Sequence, residues 1–128
     1  LSSSSAASDV YKRQDLARAR GESFVTYAPA KVPGLHGVTQ ALCRKAGFSP
    51  HISQEAIQVQ TLVSLVASGM GLALVPGVTR AYSTPHVAFV ALTDAEARNA
   101  LSLSLVTHRG TSCASVLRLR DSMLAQEA

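Results

Sequence analysis

The sequence predicts an α/β fold in which helices cover both faces of a mixed or mostly parallel sheet. Short β-favouring runs alternate along the chain with segments of helical periodicity. The apolar run at residues 72–75 shows no polar alternation, which is typical of a strand buried on both faces of a parallel sheet. Hydrophobic residues make up 47% of the 128 residues and charged residues 16%, which is enough apolar material for a core. We therefore expect one domain, or one domain and part of another.

The first half of the chain is predicted to fold as strand, helix and strand. Residues 24–27 favour a strand and lead into a loop bracketed by prolines. A helix with regularly spaced apolar residues is predicted to begin at Pro33 and to end at Gly47, a natural left-handed C-cap. A short strand is predicted at residues 51–55. This order is a βαβ unit, which favours parallel pairing of its two strands.

The second half begins with the most informative segment of the chain. Helical spacing of apolar residues predicts a helix over residues 57–68, and Gly69 ends it before the strand at 72–75 and the stop at Pro76. The remaining predicted elements are a helical turn at 78–82, a strand at 87–92, a strand with period-two alternation at 101–106 and a helix at 112–125.

The first fourteen residues differ from the rest of the chain. Residues 1–14 are rich in Ser and Ala, show no hydrophobic periodicity and resemble a translated sequencing adaptor. They contain neither the charged and apolar regions of a secretory signal nor an initiator Met. We expect residues 1–14 to be a non-native or disordered leader, attached to the C-terminal piece of a longer protein.

Composition argues against several classes of protein. No apolar run approaches the roughly 18 residues that cross a bilayer, so we expect a soluble protein with no membrane partner. Cys43 and Cys113 form no CxxC motif, which favours reduced structural thiols in a cytoplasmic protein. The net charge of +4 comes from scattered residues that form no basic stripe with interleaved aromatics, so no nucleic-acid surface is predicted.

The sequence contains none of the common enzyme motifs. The run Gly69-Met70-Gly71 follows a predicted helix and precedes a strand, which is the reverse of a dinucleotide-binding fingerprint. There is no Walker loop, no GxSxG motif and no metal-ligand spacing among the four histidines. We therefore expect no catalytic residue, no metal and no cofactor. Glu55 has two possible roles: its charge can interact favourably with the dipole of the following helix, or its side chain can contact a ligand in a cleft.

Polar groups gather at two strand-to-helix junctions. At the first junction, residues 33–36 open a helix and offer backbone N–H groups to an anion. At the second, Ser53, Gln54, Gln58 and Thr61 supply neutral hydrogen-bonding groups. Both sets suit reversible binding of a small, often anionic ligand. The alternative is that these groups only cap helices.

Four segments occur in an order that is similar to a known family. They are residues 33–36 (PGLH), 46–50 (AGFSP), 54–56 (QEA) and 61–76, and the predicted strand at 101–109 and the closing helix follow them. Together, over residues 16–126, they resemble the C-terminal effector-binding domain of LysR-type transcriptional regulators.

This resemblance implies a periplasmic-binding-protein-like (type 2) fold, in which two α/β subdomains enclose an effector cleft. Residues 15–97 would form the second subdomain, and residues 98–128 would supply the C-terminal strand and helix of an incomplete first subdomain. Without the rest of its sheet, the strand that carries Leu101, Leu103 and Leu105 is expected to expose an apolar face. Operator DNA would be bound only through the missing N-terminal domain, and the intact protein would be a cytoplasmic homo-oligomer.

The function that the resemblance implies is sensing of a small-molecule effector, which can be anionic, by a regulator that is not an enzyme. The residues expected to bind the effector are Pro33, Gly34, Leu35, His36, Gln54, Glu55, Gln58 and Thr61. The alternative function is a solute-binding receptor or a small-molecule enzyme on the same fold, since a fold does not determine function. A secretory leader upstream would favour the receptor.

Overall fold

Helices and strands alternate along the chain in the computed structural model, which describes residues 2–3 and 14–126. The strands are β1 (Ser2–Ser3), β2 (Ser23–Tyr27), β3 (His51–Ala56) and β4 (Ala88–Phe89). The α-helices are α1 (Pro33–Lys45), α2 (Val59–Ala67), α3 (Ala95–Arg98) and α4 (Ala114–Gln126), and two 3-10 helices span Leu16–Ala19 and Gly77–Tyr82. None of these helices is long and apolar enough to cross a membrane.

β2 is the central strand of the fold because both of its edges are paired. On one edge it runs parallel to β3 along its whole length. On the other edge, the Leu72 N–H donates to the Ser23 carbonyl oxygen at 2.8 Å, and the Leu72 carbonyl accepts from the Val25 N–H at 2.8 Å. Both pairings are parallel, as the sequence predicts.

Helices α1 and α2 pack on opposite faces of β2, following the alternation of side chains along the strand. Val25 and Tyr27 are buried in one cluster with the inner face of α2. Phe24 is buried in a second cluster with Leu16 and with Cys43 of α1. The predicted arrangement, with helices on both faces of the sheet, is therefore confirmed.

Both of these helices end in the same glycine-dependent motif. After α2, the Gly69 N–H donates to the Val66 carbonyl at 2.9 Å, and the Met70 N–H donates to the Leu65 carbonyl at 3.1 Å. Gly69 has a φ of 80°, and Gly47 occupies the matching position after α1 with a φ of 91°. Since this motif needs a left-handed residue to satisfy the last carbonyls, the predicted helix ends at Gly47 and Gly69 are confirmed.

Gly71 brings the chain so close to β2 that a side chain is excluded. Its φ is 142°, and a Cβ at this position would lie 2.3 Å from the Ser23 carbonyl oxygen. The two hydrogen bonds of Leu72 depend on this approach. Gly71 is therefore a close-packing position that only glycine fits.

The prediction of a strand at residues 72–75 is wrong for every residue after Leu72. Only Leu72 pairs, through a single parallel bridge to β2. In this register the donor that faces the Tyr27 carbonyl would come from position 76, and Pro76 has no N–H. The carbonyl accepts instead from the ring of His36, whose Nδ1 lies 2.8 Å away.

The predicted strands of the last third of the chain are shortened or absent. The strand expected at residues 87–92 is reduced to β4, which pairs antiparallel with β1, and to a parallel bridge between Leu92 and Gln14. Residues 101–106 form no strand, and Leu103 is 95% exposed. Since no other described strand lies beside them, their period-two pattern has no ladder to join. Leu101, Leu103 and Leu105 are exposed as expected, but they do not form the face of a strand.

The predicted leader falls mainly on residues 1 and 4–13, which lie outside the described residues. Ser2 and Ser3 form β1 opposite β4. Gln14 donates its N–H to the Ala91 carbonyl at 2.9 Å. The non-native origin of residues 1–14 stays a prediction.

Replacing Gly71 with Ala is expected to lower the free energy of unfolding by roughly 2 kcal/mol or more. The added methyl would displace the Ser23 carbonyl and break the paired hydrogen bonds at Leu72. Gly37→Ala is the matched control, because a Cβ at this α1 position meets nothing within 4 Å and should stabilise the helix by up to about 1 kcal/mol. Chemical denaturation measures both changes, and equal stabilities would contradict the close approach.

Leu103→Ser is expected to reduce self-association without changing the thermal midpoint. An exposed leucine contributes apolar surface for association but no core packing. Leu62→Ser provides the contrast, since Leu62 is fully buried and its loss should cost roughly 3 kcal/mol or more. Sedimentation velocity and thermal unfolding test both variants, and a large drop in the midpoint of Leu103→Ser would show that this side chain is packed.

Candidate functional site

A cavity of about 420 Å³ opens at the carboxyl ends of β2 and β3. Tyr27 ends β2, Ile57 follows β3, and Pro76 closes the segment that pairs with β2; all three line this strand-end cavity. Leu35 of α1 and Val59 of α2 complete its inner wall. The carboxyl ends of parallel strands are where open α/β sheets hold ligands, and the volume is that of a small-molecule site.

The walls of the strand-end cavity are mainly apolar and partly open to solvent. Ile57, Val78 and Tyr82 line it and are all exposed. Tyr27 is buried, and burial raises the pKa of its phenol, so this side chain stays neutral. Large apolar side chains exposed around one cavity are typical of a surface that binds an apolar group.

The N-termini of α1 and α2 meet at the rim of the strand-end cavity without side-chain caps. Their N-cap residues, Val32 and Gln58, make no capping hydrogen bond through their side chains. The free N–H groups in the first turn of each helix have no acceptor in the described part of the chain. Because Val32 and Leu35 of α1 and Val59 of α2 line the cavity, the positive ends of both helix dipoles favour an anion there.

His36 holds the first turn of α1 against the end of β2. Its Nδ1 lies 2.8 Å from the Tyr27 carbonyl oxygen, which can only accept, so Nδ1 carries the proton. In the neutral ring, Nε2 is then left as an acceptor. His36 itself does not line the strand-end cavity. In this structure it positions the turn that carries Leu35.

At the first junction, the predicted binding residues share one turn of a helix. Pro33, Gly34, Leu35 and His36 are the first four residues of α1. Among them only Leu35 lines the strand-end cavity. Pro33 has no N–H to offer and fixes the start of the helix. The first junction therefore contributes one apolar wall, Leu35, to the cavity.

At the second junction, the predicted residues are spread from β3 into α2. Gln58 is the N-cap of α2, and the residues on either side of it line the strand-end cavity. Thr61 is exposed in the first turn of α2. Gln54 and Glu55 are exposed within β3 and do not line the cavity. Gln58 and Thr61 do not line the cavity either, so the second junction reaches it through Ile57 and Val59.

Several residues that line the strand-end cavity were not among those predicted. Ile57 precedes α2 and lies off its buried face, and an isoleucine in that position could have been recognised as a binding surface. Val78 and Tyr82 reach the cavity only because the 3-10 helix at Gly77–Tyr82 turns back over the strand ends. No sequence pattern predicts that this 3-10 helix folds back over the strand ends.

The side chains near the strand-end cavity are suited to binding rather than to metal or thiol chemistry. Among the residues that the structure describes, no group of three His, Cys, Asp or Glu side chains could hold a metal ion. Cys43 is buried beside Phe24, and burial raises its pKa to about 11, so it is a protonated thiol at neutral pH. What the cavity offers a ligand is apolar contact and backbone N–H donors.

Known proteins with similar sequences are transcriptional regulators. The family model described as LysR substrate binding domain matches residues 3–127. The HTH-type transcriptional regulator CatR of Pseudomonas putida is 30% identical over 113 residues, which are 88% of this chain and 38% of CatR. The HTH-type transcriptional regulator TfdS of Cupriavidus pinatubonensis is 34% identical over 97 residues, which are 74% of this chain and 33% of TfdS. The chain thus spans less than two fifths of the length of either regulator.

A solved structure with a similar fold is the BenM effector binding domain with its effector benzoate. It matches this chain with a TM-score of 0.60 and 26% identity, over 67% of this chain and 39% of that one. The predicted periplasmic-binding-protein-like fold is therefore confirmed. Sequence and fold agree that this chain belongs to the LysR substrate-binding domain family, the effector-binding part of LysR-type transcriptional regulators.

Proposed function

We propose that this chain senses a small organic anion with an apolar body, as the effector-binding part of a LysR-type transcriptional regulator. The observation that carries the proposal is the meeting of two uncapped helix N-termini at an apolar cavity of about 420 Å³. The charged group of the effector would accept from the N–H groups of α1 and α2. Its apolar body would pack against Ile57, Val59 and Tyr82.

An aromatic carboxylate would match the strand-end cavity, because its charged group suits the N–H donors and its ring suits the apolar walls. The BenM effector-binding domain has benzoate as its effector, which combines one carboxylate with a flat apolar ring. Hydrogen bonds to a charged group contribute about 1.5–3 kcal/mol each, roughly twice the contribution of neutral ones. Benzoate is therefore the first ligand to test, and the N–H donors would contribute more of its affinity than the neutral side chains at the rim.

Effector binding would act on the rest of the protein by shifting the population of two subdomain arrangements. We infer that residues 15–97 form the second subdomain and residues 98–128 the C-terminal part of the first. The Gln14 N–H donates to the Ala91 carbonyl at 2.9 Å, and the Thr93 N–H donates to the Gln14 carbonyl at 3.1 Å. The chain thus enters residues 15–97 beside residues 91–93, a few residues before it leaves them, and two adjacent passes of this kind suit a hinge.

The wider properties of the intact regulator are part of the same proposal. Operator DNA would be bound through a domain outside this chain, by a cytoplasmic homo-oligomer. This chain would have no catalytic activity of its own. The alternative of a solute receptor or a small-molecule enzyme is not favoured, because the relatives named above are transcriptional regulators.

Thr61→Val is expected to weaken benzoate binding about three- to tenfold, because one neutral hydrogen bond contributes about 0.5–1.5 kcal/mol. Valine keeps the shape and the backbone N–H and removes only the hydroxyl. Ser64→Ala is the matched control, one turn further along α2. The Ser64 hydroxyl already donates to the Gln60 carbonyl oxygen at 3.0 Å, so its removal should not change benzoate binding. NMR titration of the chain with benzoate measures both, and an unchanged affinity for Thr61→Val would exclude this hydroxyl from the site.

Ile57→Ala tests the apolar wall and should weaken benzoate binding about fivefold, which corresponds to the loss of contact with little more than one methylene group at about 0.8 kcal/mol each. Ile57 is 56% exposed, so its truncation should leave the thermal midpoint nearly unchanged. Leu124→Ala, at an exposed leucine of α4, is the control and should change neither quantity. Equal affinities of the two variants for benzoate would place the effector elsewhere.

A further inference from the structure

A second cavity, of about 370 Å³, shares only Pro76 with the strand-end cavity. Two arginines line it: Arg80 comes from the 3-10 helix at Gly77–Tyr82, and Arg98 is the last residue of α3. Leu74, Phe89 and Leu92 supply apolar walls to this arginine cavity. The same 3-10 helix therefore faces the strand-end cavity with Tyr82 and the arginine cavity with Arg80.

The described part of the chain places no acidic side chain against the arginine cavity. Asp94, four residues before Arg98, is engaged elsewhere, because its Oδ2 accepts the Leu16 N–H at 3.0 Å. Glu96 lines a different cavity. In the part of the chain that the structure describes, ion pairing is confined to α4, so Arg80 and Arg98 face one cavity without a carboxylate partner.

Two arginines around one apolar cavity favour a ligand that carries two negatively charged groups on a hydrocarbon body. Each guanidinium can bind a carboxylate through two parallel hydrogen bonds. The leucine and phenylalanine walls favour a hydrocarbon body between the charged ends. A volume of about 370 Å³ admits an aromatic ring or a short chain with two carboxylates.

We propose that the arginine cavity is a second ligand site, which binds a small dicarboxylate with one carboxylate on Arg80 and the other on Arg98. A third cavity, of about 280 Å³, lies between the two, because it shares Arg98 with the arginine cavity and Tyr27 and Leu35 with the strand-end cavity. The proposed site does not require the strand-end cavity to bind an effector. Because both arginines reach solvent, its affinity should fall as salt concentration rises.

The test uses isophthalate as the dicarboxylate and benzoate as the monocarboxylate, titrated into the whole chain by calorimetry or NMR. Arg80→Gln and Arg98→Gln should each weaken isophthalate binding about tenfold and leave benzoate binding within about twofold. Arg44→Gln is the control: it removes the same charge from an exposed position of α1 that lines neither cavity. Among the described residues neither cavity arginine pairs with a carboxylate, so both variants should fold as the parent does.

Isophthalate affinity within twofold of the parent for both cavity variants would overturn the proposal. An equal loss in Arg44→Gln would also overturn it, since the effect would then be one of net charge. A second measurement needs no substitution: phenylglyoxal modification, read by peptide mass spectrometry, should be slowed by isophthalate at Arg80 and Arg98 but not at Arg44. A chain that binds isophthalate in this way but fails to bind benzoate would support the second site and count against the proposed effector cavity.

Discussion

The fold depends on the close approach of the chain after α2 to the backbone of β2. Gly71 lies where a Cβ would meet the Ser23 carbonyl, and only this contact allows Leu72 to pair with the second edge of β2. With both edges paired, β2 can be buried on both faces, by α1 on one side and α2 on the other. A strand buried in this way has its end fixed in position, and that end forms the floor of the strand-end cavity.

At the end of β2, the last carbonyl of the strand accepts from a side chain instead of from a neighbouring strand. Pro76 cannot donate to the Tyr27 carbonyl, and His36 takes its place from the first turn of α1. One interaction thus satisfies the last carbonyl of the strand and holds the N-terminus of α1 at the cavity. The uncapped N–H groups of that turn remain available to a ligand because no side chain in the described ranges accepts from them. The position of the strand-end cavity beside the first turn of α1 therefore follows from the contact between His36 and the last carbonyl of β2.

The sequence was most informative where a local rule determines the backbone. Proline and glycine at the ends of helices predicted α1 and α2 closely. Of the eight predicted binding residues only Leu35 lines the strand-end cavity, and the effector site stays a prediction. Local rules failed where a residue depends on a distant neighbour. Residues 101–106 have the alternation of a strand, yet a strand forms only beside a partner. Tyr82 and Arg98 reach their cavities through the path of the chain, which no residue spacing encodes.

The 3-10 helix at Gly77–Tyr82 gives the two cavities a physical connection. It is short, it is held at its start by Pro76, and its side chains face the two cavities on opposite sides. A ligand that contacts Tyr82 and a ligand that contacts Arg80 would both favour particular positions of this helix. If the two favoured positions agree, each ligand raises the affinity of the other by the same factor, and if they conflict, each lowers it.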